Sequence, residues 1–132
     1  MILVSACLLG LKTRYDGQSK QCADCLAALT GKWWMPFCPE QLGGLPTPRI
    51  AADLQGGNGH DVLAGRGRVI TRAGSDVTTN FILGAEEVAR LAEQLTVEAV
   101  FLRAGSPSCG LHPMGVAAAL LSKRGYNLIE FS

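Results

Sequence analysis

Short apolar runs recur along this chain, separated by a helical stripe and by glycine- and proline-rich turns, and few folds accommodate that order. Ile2-Leu3-Val4-Ser5 is apolar and β-branched enough to read as a buried strand. Trp33-Trp34-Met35-Pro36-Phe37, Ala99-Val100-Phe101-Leu102-Arg103 and Asn127-Leu128-Ile129-Glu130-Phe131 read as three more strands. The clearest helix spans Asp76–Leu95, where Val77, Phe81, Ala85, Val88, Ala92 and Leu95 share one face. Ser75 or Asp76 can cap it, and Glu86 and Arg90 make an i,i+4 pair. Gly84 weakens its interior by about 1 kcal/mol relative to alanine, which points to a close approach at that position. Gln18–Leu29, ending at Gly31, and Val116–Arg124, between Pro113 and Gly125, read as further helices. Strands alternating with helices predict right-handed crossovers and a mostly parallel sheet. The expected fold class is α/β: a single domain over residues 1–132, with a short, mostly parallel sheet of about four strands flanked by helices, Rossmann-like.

The stretch 38–75 does not fit that rhythm. Pro39, Gly43, Gly44, Pro46 and Pro48 shape one long loop, Gly56-Gly57-Asn58-Gly59 marks a second turn, and Arg66–Thr71 reads as a short strand or hairpin arm. Loops longer than about 12–15 residues in a compact chain are usually functional or disordered, and this one is too apolar to be a simple linker. The net charge of +1 provides no basic stripe, so no dedicated nucleic-acid surface is expected. For the same reason Trp33 and Trp34 read as core and interface aromatics rather than base-stacking platforms. No apolar run approaches the ~20 residues of a membrane helix. Met1-Ile2-Leu3-Val4-Ser5 lacks the basic start of a signal peptide, and a cytoplasmic location is expected.

The chain has five cysteines, an odd number that does not read as a disulfide framework. Cys7, Cys38 and Cys109 each follow a predicted strand, within Ala6-Cys7-Leu8-Leu9-Gly10, Phe37-Cys38-Pro39-Glu40 and Ser106-Pro107-Ser108-Cys109-Gly110. In a parallel sheet those strand ends share one edge, where open α/β sheets bind ligands. Three thiolates meeting there would hold a soft metal centre with one open position, suited to Lewis-acid chemistry. Taken singly, each cysteine packs equally well as an inert core residue.

These segments, together with Arg14-Tyr15-Asp16-Gly17, Leu42-Gly43-Gly44-Leu45-Pro46-Thr47-Pro48-Arg49, Asp76-Val77-Thr78, Gly115-Val116 and Ala118-Ala119-Leu120-Leu121, resemble the bacterial thiouracil desulfidase family over nearly the whole chain. The resemblance implies a [4Fe–4S] cluster held by Cys7, Cys38 and Cys109, with one iron open to a substrate's sulfur. It also implies removal of sulfur from a thiolated pyrimidine such as 2-thiouracil, a small-molecule partner, giving the oxo-base and sulfide without net redox change. Two departures stand out: only Gly110-Leu111-His112-Pro113-Met114 separates Cys109 from Gly115, where the family has a longer loop, and Ala117 replaces a common threonine.

Such chemistry needs a thiophile, activated water and a place for protons. Glu40, beside a proposed ligand, is positioned to activate water or move its proton; otherwise it orders its loop by accepting backbone N–H groups. Ser106 is favoured over Ser108 as a helper, and both can equally cap the turn. Ser108 and Gly110 are candidates for substrate contact or support behind it, and the helix after Pro113 could lend positive potential to an anionic centre. His112 could reach the same site, whereas His60 sits in a glycine-rich turn; Arg14 and Asp16 are expected to pair and order the first loop. Two rival readings stay open: a non-enzymatic sulfur- or metal-binding module, and a thiol redox protein using Cys22 and Cys25.

Overall fold

A computed structural model describes residues 1–132. The chain runs β1 (Ile2–Ser5), a 3-10 turn (Ala6–Leu9), α1 (Ala23–Leu29), β2 (Trp34–Phe37), α2 (Pro39–Leu42), β3 (Ala52–Gln55), α3 (Gly59–Leu63), β4 (Arg68–Thr71), α4 (Thr78–Glu93), β5 (Ala99–Arg103), α5 (Val116–Lys123) and β6 (Leu128–Phe131). Four strands form a parallel sheet in the order β2-β1-β5-β6, with Ile2 opposite Trp34 and Ala99, and Val100 opposite Leu128. The expected α/β class holds.

Pleating sends alternate residues of the central strands to opposite faces. Ile2, Val4, Ala99 and Phe101 pack under α1 with Cys25 and Leu29. Leu3, Val100 and Leu102 pack against Val88 and Ala92 of α4 and Ala118 and Leu121 of α5. Both faces are therefore covered, and each fully buried leucine or valine contributes about 1.5–3 kcal/mol. No helix is long and apolar enough to cross a membrane.

Helix boundaries are shorter than the sequence pattern implies. Residues 18–22 stay outside α1 because Cys22 is extended, at φ −109° and ψ 110°, and its N–H is bonded to the Leu8 carbonyl. Asp76 lies ahead of α4 and accepts the Thr78 N–H at 2.9 Å. Arg90 pairs with Glu87 one turn back, at 3.3 Å, instead of Glu86. Trp33 is 83% exposed and Trp34 is also exposed, so neither belongs to the core.

The segment 38–75 is not one loop but α2, a β3–β4 antiparallel hairpin and α3. Arg68–Thr71 supplies the expected arm; its partner β3 pairs Leu54 with Val69. Val62 and Val69 anchor this unit on Phe81, Ala85, Val116 and Ala117. Gly84 is the close approach anticipated in α4: a Cβ there would overlap the Pro39 carbonyl oxygen, just as one on Gly43 would overlap the Asn80 carbonyl. Gly84→Ala is therefore expected to destabilise the chain by about 1–3 kcal/mol in urea unfolding, despite alanine's better helix propensity.

Candidate active site

The order of the parallel sheet reverses at β1, whose crossovers lead to β2 on one side and to β5 on the other. Ligand crevices in open α/β sheets form outside the carboxyl ends at such points. A cavity of about 480 Å³ lies there, and Cys7, Cys38, Cys109, Glu40, Ser106 and Ser108 all line it. Residues 51–54 and Arg72 of the hairpin form the facing wall.

Each thiol is placed by a strand end. Cys7 sits in the 3-10 turn after β1, and Cys38 caps α2 directly after β2. Cys109 is buried among Leu3, Phe37 and Ala118, and its Sγ accepts the Ser5 hydroxyl at 3.3 Å. Burial pushes the Cys109 thiol up to about 12, with like charge on Cys7 and Cys38 acting in the same direction. Burial also raises Cys38. No three His, Cys, Asp or Glu side chains gather tightly enough to chelate a single metal ion. The three thiols are spaced around one cavity, none is in a disulfide, and thiolates are the soft donors that iron and zinc centres select.

The raised thiols have a consequence for pH. Folding favours the protonated form, so the metal-free chain binds more protons folded than unfolded between about 9 and about 12. Its stability is expected to be full below pH 9 and to fall as pH rises through that window, which urea titrations at successive pH values would show.

Glu40 is the hub of the polar side. Its Oε1 accepts Arg49 Nε at 2.9 Å and its Oε2 accepts Ser108 Oγ at 2.9 Å. Ser106 Oγ accepts the N–H groups of Ser108 and Cys109 and lies 2.9 Å from Ser108 Oγ. Because Ser108 donates to Glu40, the Ser106 hydroxyl is the donor to Ser108, and the chain Ser106–Ser108–Glu40 has one direction. Ser108, not Ser106, touches the carboxylate. Arg49 and Glu40 are only 6% and 14% exposed, and Arg49 also donates to the carbonyls of Thr13 and Pro46 and to Thr47 Oγ1. Lysine lacks this fork, so Arg49→Lys is expected to cost about 1–3 kcal/mol in thermal or urea unfolding.

Residues 2–130 match the family model described as 2-thiouracil desulfurase. The chain belongs to the 2-thiouracil desulfurase family. It is an enzyme that removes sulfur. It is 38% identical over 143 aligned residues to the uncharacterised protein YbbK of Bacillus subtilis (strain 168), covering 98% of this chain and 95% of that one. A solved structure of the [4Fe-4S]-dependent thiouracil desulfidase TudS superimposes with a TM-score of 0.80 at 39% identity, covering 98% of this chain and 89% of the other.

Other residues of this desulfurase fall differently about the cavity. Arg14 and Tyr15 line it, and Arg14 pairs with Asp16 at 3.4 Å. Gly110 does not line it; its N–H closes the turn onto the Ser106 carbonyl. His112 and His60 are exposed and outside it. Cys22 and Cys25 are buried beneath β1 and β5, off the cavity, and burial pushes the Cys25 thiol up to about 11. The N–H groups of Val116 and Ala118 at the start of α5 are bonded to the Pro107 and Ser108 carbonyls, so they seat the cysteine loop rather than face the cavity. Sequence reasoning gives no site role to Arg49 or Arg103, although the desulfurase places both at the cavity. The signals were a basic residue closing the Pro46-Thr47-Pro48-Arg49 motif and a lone charge ending an apolar strand.

Proposed function

We propose that this desulfurase replaces the sulfur of a thiolated pyrimidine such as 2-thiouracil by oxygen, consuming water and releasing sulfide with no net electron transfer. The observation that carries this reading is the meeting of three cysteines with the Ser106–Ser108–Glu40 chain in one cavity. Cys7, Cys38 and Cys109 would hold a [4Fe–4S] cluster, a reading supported by the [4Fe-4S]-dependent TudS of similar fold. When bound, the cluster supplies a thiophilic Lewis acid at its open position.

The remaining work belongs to the chain. Glu40 takes a proton from water, within the 10²–10⁴-fold range typical of positioned acid–base groups. Arg49 holds that carboxylate in place. Ser108 and Ser106 pass protons between Glu40 and the cavity by rotating their hydroxyls in turn. The hairpin wall, with Ala52 and Leu54, helps to exclude bulk water. The five unpaired thiols suit a reducing, cytoplasmic setting.

Anaerobic reconstitution should give a brown protein with about four irons and four sulfides per chain, and sulfide should appear when 2-thiouracil is added. A colourless, iron-free product overturns the cluster. A loaded chain that releases no sulfide from thiolated pyrimidines overturns the proposed reaction and favours a binding module.

A further inference from the structure

Arg103, the last residue of β5, is a buried cation without a counter-charge. It is 6% exposed, and none of the chain's ion pairs includes it. Its Nη2 donates to the carbonyls of Cys7, at 3.0 Å, and Lys20. Its Nε is the one buried side-chain nitrogen or oxygen in the chain with no hydrogen-bond partner. Burying an uncompensated charge is among the costliest features a fold can carry. The other buried arginine at the cavity, Arg49, has Glu40. Arg103 has only carbonyl dipoles, yet it lines the same cavity as Cys7, Cys38 and Cys109.

The groups there that acquire negative charge on metal binding are the three thiols, which shed protons to become thiolates. Cys7 belongs both to that set and to the turn whose carbonyl Arg103 holds. We propose that Arg103 is a buried counter-charge of the three-cysteine centre on its Cys7 side, as Arg49, with Nη2 4.0 Å from Cys38 Sγ, lies on the other, fixing the Cys7 turn and offsetting the charge of the metal-bound thiolates. This assignment rests on the reading of Cys7, Cys38 and Cys109 as ligands. Arg103 acts through that centre and is a positioning residue: the guanidinium is present before metal arrives, and its charge is compensated only afterwards.

The test compares wild type with Arg103→Gln, which keeps an N–H donor but no charge, and Arg103→Lys, which keeps the charge but not the fork. Iron release from the loaded chains to excess chelator is followed anaerobically by absorbance, and melting temperatures are taken metal-free and loaded. The Gln chain is expected to release iron about tenfold faster than wild type, in line with losses of groups supporting metal ligands. The Lys chain should stay within about threefold of wild type. The rise in melting temperature on loading should shrink for Gln and persist for Lys. If the Gln chain does not fold, Arg103→Met provides the uncharged comparison. Equal falls in melting temperature with and without metal, at unchanged release rates, mark a merely structural arginine and overturn the assignment. A wild-type chain that takes up no iron overturns the centre itself and the assignment with it.

Discussion

Serine in place of Cys109 is expected to abolish stable iron retention and to cut sulfide release from 2-thiouracil by more than about a hundredfold. The substitution changes one atom in a place already served by hydroxyls: Ser5 Oγ lies 3.3 Å and Ser108 Oγ 3.7 Å from the sulfur. A serine there has partners, so the fold should survive, as circular dichroism would show. What it lacks is the soft, polarisable thiolate that iron centres select. Iron content per chain and sulfide release are the two readouts. Undiminished iron and activity would place Cys109 among the inert core thiols. Cys22→Ser provides the contrast, since Cys22 lies off the cavity, and it should leave activity within about twofold.

Glu40→Gln is expected to lower turnover by about 10²–10⁴-fold while iron content stays at the wild-type level. Glutamine keeps an oxygen for Arg49 and can still meet Ser108, so the wall of the cavity should hold its shape. It cannot take up a proton. Loss of activity with intact loading therefore assigns Glu40 to proton movement. Full activity in the Gln variant would reduce Glu40 to an anchor for Arg49, and the search for a base would pass to another cavity residue.

The sheet could be read from the chain because its central strands β1 and β5 are buried on both faces and their apolar residues leave little choice of register. Leu3 and Val100 face α4 and α5 while Ile2 and Phe101 face α1, as period-2 pleating requires. Convergence of Cys7, Cys38 and Cys109 followed from parallel topology, which brings distant strand ends to one edge. The β3 arm was not legible, since Ala52-Asp53-Leu54-Gln55 is short, half exposed and weak in strand formers, and becomes a strand only through Arg68–Thr71. Arg103 could not be assigned for a different reason. A charge ending an apolar run normally marks the return to solvent, and only the folded geometry shows this one buried against carbonyls.

The two glycines that bring α2 against α4 divide the cavity into unequal partners. Gly43 and Gly84 leave no room for a side chain between backbones, so the short helix behind Cys38 and Glu40 cannot shift without opening that contact. The hairpin opposite is tied down on its inner side by Val69 and meets solvent on the other, where Asp53 and Arg72 pair at 3.4 Å. Changes in length or side-chain size at β3 and β4 can thus re-cut the entrance without disturbing the thiols. If the thiols and Glu40 carry the proposed reaction, reactivity and selectivity would sit on separately adjustable parts, and relatives that accept different molecules should differ first in the hairpin.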